Sequence, residues 1–261
     1  MAKRIGWTRQ QLLVAYSLYC QLPFGQLHSR NPEIIKHASL IGRSASALAM
    51  KLTNIASLDP EITSSGRKGL KGASSADKAM WKEMQNNWES FALDSSRAIR
   101  AVDPEKQAVI KPIAKASIDK QTDYIGINKD VQTTTRIGQS FFRKAVLSAY
   151  NNKCCITGLS IPKLLVASHI VPWRADEKNR LNPSNGLSLS MLHDKAFDIG
   201  IITINNDMTV RVSKEMTNSC DEFYITALLS YDKKQIFLPE KFQPHADFLL
   251  YHQENIFEQW T

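Results

Sequence analysis

The chain has 261 residues, 43% of them hydrophobic and 22% charged, with eleven glycines and ten prolines. That composition excludes a collagen repeat, low-complexity disorder and a disulfide scaffold, and the length fits two modest domains better than one. The net charge of +8 is unevenly placed: residues 1–100 hold fourteen Lys and Arg against seven Asp and Glu, residues 101–130 five of each, and residues 131–261 fourteen against thirteen. A basic module joined to a neutral one fits a polyanion-binding part attached to something else, although a basic solvated surface is the plainer reading. No apolar run is long enough to span a membrane; Leu12–Phe24 is interrupted by Gln21 and Pro23. Met1-Ala2-Lys3-Arg4 leads into amphipathic sequence rather than a signal-peptide core. Cys20, Cys154, Cys155 and Cys220 have no framework spacing, so reduced thiols and a cytoplasmic location are expected.

Thr8 can cap a helix from Arg9 to about Leu22, with Leu12, Tyr16 and Tyr19 at helical spacing. Asn31-Pro32-Glu33 starts a second, short helix with Ile34, Ala38 and Ile41 on one face, and Gly42 supplies the turn after it. A third helix runs from about Ser44 to Ser57, with Leu48, Leu52 and Ile55 inward. Short helix, glycine turn and longer helix make a helix-turn-helix pattern, which also occurs in domains that touch no nucleic acid. The outward positions Arg43, Ser46, Ala47, Met50, Lys51 and Asn54 suit a helix lying in a major groove. The following Gly66–Gly72 segment places Arg67, Lys68 and Lys71 on a flexible loop that could act as a wing on phosphates. Asp77–Phe91 reads as one further amphipathic run whose Met80, Trp81, Met84 and Trp88 belong to a core. From Ser95 to Asp130 periodicity is weak. The predicted organisation is a basic helix-turn-helix or winged-helix domain over 1–94, a linker with short elements over 95–130, and a second domain over 131–261.

In the second domain Gln139–Tyr150 reads as a helix with Phe142, Val146 and Ala149 along one face. Cys154–Gly158 and Leu164–Ile170 read as a hairpin with His169 near its end, and Asn185–Ser190 as a second short strand after a polar loop. Met191–Ile199 reads as a short helix carrying His193, Asp194 and Asp198, closed by Gly200. The tail Pro244–Trp260 has helical spacing and is expected to cover the hairpin, while His28, His37, His245 and His252 show no partner pattern.

The series Ala167-Ser168-His169-Ile170, Asn185-Gly186-Leu187 and His193-Asp194 resembles the HNH endonucleases of the ββα-metal type. Arg136-Ile137-Gly138-Gln139, Phe142-Arg143 and Cys155-Ile156-Thr157-Gly158 are similar to the subgroup found in bacterial restriction enzymes. The likeness covers residues 123–200, more loosely Phe237-Leu238-Pro239 and Tyr251-His252. It implies an α+β protein in which a ββα-metal nuclease follows the helical domain. His169 would take a proton from water, its imidazole oriented by Asn185, and His193 would bind Mg²⁺ or Mn²⁺. Ser168 stands where many relatives have a metal-binding aspartate or histidine. Asp194, Asp198, the phosphate or waters would then complete the shell. Relatives with structural zinc carry two CxxC pairs, which this chain lacks, so structural zinc is not expected. Arg143, Arg174 and Arg180 could meet phosphates or be solvated.

The resemblance points to a restriction-type endonuclease acting on double-stranded DNA, sequence-specific or dependent on a modified cytosine. Because each centre would cut one strand, a homodimer is expected; no membrane partner is. Two other classes stay open: a DNA-binding regulator with an inactive HNH-like domain, which Ser168 favours, and an RNA-cutting effector.

Overall fold

The computed structural model describes residues 6–66, 72–103, 128–214 and 221–259, with side chains of the long central helix described from Arg136 onward. Arg67, Lys68 and Lys71 lie outside the described residues.

Local chemistry sets the first helices. Thr8 and Gln11 form a reciprocal capping box that starts α1 (Arg9–Gln21), and Pro23 follows its end. Asn31 caps α2 (Pro32–Leu40), with Pro32 in its first turn, and Gly42 takes φ +66° in the turn beyond it. Ser44 caps α3 (Ala45–Ala56), and Asp59 caps the short α4 (Pro60–Ser64). Leu48, Leu52 and Ile55 are fully buried, and α2 packs against α3 in the segment read from the sequence as a helix-turn-helix pattern. No strand occurs among the described residues of 6–103, so the winged form of that pattern is not seen there.

Asp77–Phe91 is two helices rather than one. Asn87 leaves helical geometry, and its side-chain carbonyl accepts the Ser90 N–H at 2.9 Å, which ends α5 (Ser75–Asn86) and caps α6 (Trp88–Val102). Ser95–Val102, read from the sequence as the start of a linker, is the second half of α6, with Ser95 and Ala98 buried. The next helix, α7 (Asn128–Ala149), is longer than the predicted Gln139–Tyr150.

The helical region and the C-terminal region share one hydrophobic core. Helix α1 packs on both α6 and α7 and is buried from Leu12 through Cys20. Lys241, fully buried, donates to the carbonyls of Tyr19 and Leu22 at the end of α1, and Ser148 donates to Cys20 O at 2.7 Å. These bonds satisfy helix-terminal carbonyls that burial would otherwise leave without partners. The Lys241 ammonium lies 4.8 Å from the Tyr19 ring centroid.

The C-terminal region holds two small antiparallel sheets. Strand β1 (Leu165–His169) pairs with β2 (Gly186–Ser190), with Leu165 opposite Ser190 and His169 opposite Gly186. Cys154–Gly158 is not a strand of this hairpin: it is a turn attached to β2 through the Cys155 N–H to Ser188 O bond. Gly186 allows β2 to start against α7, because a Cβ there would lie 2.4 Å from Val146 Cγ2. Helix α8 (Met191–Asp198), capped by Ser190, follows β2 directly. Strands β3 (Ile202–Ile204) and β4 (Val210–Val212), the short α9 (Glu222–Ala227) and the final helix α10 (Ala246–Asn255) complete the fold. Helix α10 packs on β3 and on Phe197 of α8 rather than over the β1–β2 hairpin. Among the described residues no helix is long and apolar enough to cross a membrane.

Candidate active site

A cleft of about 470 Å³ opens where β1 meets α8. Its wall includes Ser168 and His169 from β1, Trp173 from the loop that follows, Asp194 and Asp198 from α8, and His252 from α10. Residues 169, 194 and 198 are therefore brought together by two pieces of chain: the end of β1, and the helix α8 that follows β2.

His169 is held from three sides. Its Nε2–H donates to the Arg180 carbonyl at 2.9 Å, its ring stacks on Phe142 with centroids 4.0 Å apart, and Trp173 meets it edge-on at 5.5 Å. A carbonyl only accepts, so the proton sits on Nε2 and the lone pair is on Nδ1. Burial pushes the imidazole below the usual histidine range, while the Arg180 carbonyl and the Asp194 carboxylate pull it back. The ring is thus neutral at pH 7, and a proton taken up at Nδ1 has a carboxylate nearby to offset its charge.

The expected orienting bond from Asn185 to the imidazole is not made. Asn185 is buried, and its Oδ1 accepts the Val171 N–H at 2.8 Å while its Nδ2 donates to Val171 O at 3.2 Å and Asn179 O at 3.4 Å. It clips together the two ends of the β1–β2 loop, and that loop presents the Arg180 carbonyl. The Arg180 side chain reinforces it. Its Nε donates to Trp173 O, its guanidinium lies 5.3 Å from the Trp173 ring centroid, and it pairs with Glu177. Arg180, expected as a phosphate contact, is committed to the loop.

His193 is not brought to the cleft. Its Nδ1 bonds to the Ser190 hydroxyl at 2.8 Å, its ring meets Tyr231 edge-on, and its Nε2 is turned toward the Ala227 backbone without closing a well-formed bond. Burial depresses its basicity. The reason is helical phase: successive residues point about 100° apart, and Ser190 capping fixes α8 so that residue 194, not 193, faces His169.

Asp194 and Asp198 stand one helical turn apart on the cleft side of α8. Burial raises both carboxyl pKa values; Asp198 is raised further by the Asp194 charge, whereas Ser168, Lys195 and His169 lower Asp194. The Ser168 hydroxyl is buried near Asp194 without a hydrogen bond of good geometry. Two hard oxygen donors that repel one another suit a divalent cation of the Mg²⁺ or Mn²⁺ kind. Among the described residues no group of three His, Cys, Asp or Glu side chains converges as a metal site, so such an ion would need substrate phosphate and water to complete its shell. Cys154 and Cys155 are free, buried thiols.

In the helical region, Lys51 is buried and bonded to both Asp77 carboxylate oxygens at 2.8 and 2.9 Å, which removes it from any DNA surface. Arg43 is spent on Gln11 Oε1, the Gly6 carbonyl and the Trp7 ring. Ser46 and Met50 are exposed and Asn54 half-buried. The charge pattern gave no warning of Asp77, which lies on a different helix.

Site features without a residue signature escaped the sequence: the Arg180 carbonyl, the Phe142 stack and the wall made by His252. The i, i+4 spacing of Asp194 and Asp198 was a readable signal for the carboxylate pair.

No curated protein matches the chain. Residues 154–205, which span β1, the joining loop, β2, α8 and β3, match a family model described as HNH endonuclease, so this segment of the chain carries an HNH endonuclease domain.

Proposed function

We propose that the chain is a cation-dependent DNA endonuclease of restriction type. The observation that carries the reading is the cleft in which a neutral, tautomer-fixed His169 stands beside Asp194 and Asp198. His169 Nδ1 takes a proton from a water as that water's oxygen bonds to phosphorus; the opposite P–O bond breaks, and the leaving oxygen is protonated from solvent. The imidazolium that forms is stabilised by the Arg180 carbonyl and the Asp194 carboxylate, both of which raise the basicity of His169. Asp194 and Asp198 would hold a divalent cation such as Mg²⁺ or Mn²⁺, which would supply polarisation of the phosphoryl oxygen and stabilisation of the departing charge. Retention of two carboxylates favours an active centre over an inactive regulator despite Ser168.

The helical region supplies DNA affinity. Its excess of seven positive charges attracts the backbone, and α3 offers Ser46, Met50 and Asn54 as the groups that read bases. Two copies on one duplex cut both strands. The test is incubation of the full chain with supercoiled plasmid and with RNA, in Mg²⁺, Mn²⁺ or EDTA, beside Asp194→Asn and Asp198→Asn. Cation-dependent plasmid nicking lost in both variants is expected. An intact plasmid under every cation supports the regulator, and cleavage of RNA alone supports the effector. Digestion of unmodified, methylated and hydroxymethylated DNA then separates sequence-specific from modification-dependent cutting.

A further inference from the structure

We infer that His252 is a positioning residue of the nuclease centre: from outside the HNH-matched segment, it holds the turn of α8 that carries Asp198. The inference rests on Asp194 and Asp198 as cation ligands.

His252 belongs to α10, far beyond residue 205 where the family match ends. Its ring is 1% exposed and lies flat on Phe197, with centroids 3.6 Å apart and planes 15° from parallel. Both ring nitrogens are used. Nε2–H donates to the Phe197 carbonyl at 3.1 Å, and Nδ1 accepts from the Thr203 hydroxyl at 2.8 Å. Phe197 directly precedes Asp198, so the imidazole fixes the peptide from which that carboxylate springs. It does so from inside the cleft wall, which His252 and Ile256 help to form.

The hold is repeated one turn later. The Glu258 N–H donates to Gly200 O at 3.1 Å, and the Ile256 carbonyl lies against Gly200, where a Cβ would approach it to 2.1 Å. The end of α8 is therefore clasped by the tail at two peptides. Carboxylate ligands from a single short helix have no other element to set their separation, and groups behind metal ligands commonly govern affinity as much as the ligands do. Simple space-filling would need only an aromatic ring on Phe197. The paired hydrogen bonds to α8 and β3 are what distinguish positioning from filling.

The experiment is Mn²⁺ titration of the full chain followed by electron paramagnetic resonance, with plasmid nicking measured in parallel. His252→Phe keeps a ring on Phe197 and loses both bonds; Mn²⁺ binding is expected to weaken roughly tenfold. His252→Gln retains an N–H donor for the Phe197 carbonyl and recovers most of that loss. Wild-type Mn²⁺ affinity in His252→Phe overturns the inference. Should that variant fail to fold, Thr203→Val, which frees the ring from β3, carries the test: unchanged affinity there overturns the inference and weakened affinity supports it. Unchanged Mn²⁺ binding in Asp194→Asn and Asp198→Asn would instead bring down the cation assignment itself, a result separable from any behaviour of His252.

Discussion

Replacing Asn185 with alanine tests the loop clip in quantitative terms. The side chain is 1% exposed and makes a 2.8 Å bond from Val171 N–H and longer ones to the Val171 and Asn179 carbonyls. Alanine leaves the Val171 N–H buried with no acceptor, which costs about 1–3 kcal/mol, and removes two longer bonds worth about 0.5–1 kcal/mol each. The expected loss is about 2–5 kcal/mol, measured by urea denaturation with linear extrapolation. A catalytic effect accompanies the stability effect. With the loop loosened, the Arg180 carbonyl no longer fixes His169, and nicking by the folded fraction drops roughly 10- to 100-fold, as for other supporting groups. A variant that keeps wild-type stability to within about 0.5 kcal/mol and wild-type nicking would refute the clip.

Other consequences follow from the same geometry. Burial pushes the His252 pKa down to about 4, against about 6.5 for an unfolded chain. The unfolded state therefore binds a proton that the native state refuses; this stability is fully present above about pH 6.5 and is lost as pH falls toward 4. It amounts to about 3 kcal/mol at most, read as the difference in acid dependence of unfolding between wild type and His252→Gln; parallel curves would exclude it. Gly200→Ala introduces a side chain at φ +74° with its Cβ 2.1 Å from the Ile256 carbonyl. It should destabilise by at least about 2 kcal/mol, and a wild-type melting temperature would show that the tail does not clasp α8. Charge reversal at Arg67, Lys68 and Lys71 should weaken DNA binding and flatten its salt dependence; an unaltered slope removes that loop from the interface.

The helix starts were legible because each is written in short-range chemistry: Thr8 with Gln11, Asn31 with Pro32, and Ser44 all cap within three residues. The position of His169 at the end of a strand, and the following helix with its acidic pair, were legible for the same reason. What failed depended on distant partners or on helical phase. Lys51 looked like a DNA contact because its ion pair comes from Asp77, 26 residues further along. His193 matched a motif, but neighbouring positions on a helix face different directions, and only the packed structure shows that Asp194 looks into the cleft. The group that fixes the His169 tautomer is a backbone carbonyl, which leaves no mark in side-chain identity. The break at Asn87 was missed because the apolar spacing of Met80, Met84 and Trp88 runs across it, even though an asparagine there is a readable cap.

The most direct test compares wild type with His169→Ala for cation-dependent nicking of a plasmid that both proteins bind equally well. The variant is expected to bind the plasmid but leave it supercoiled, with nicking slowed by roughly 10²–10⁴-fold, the contribution of a positioned general base. Nicking by His169→Ala at the wild-type rate would contradict it.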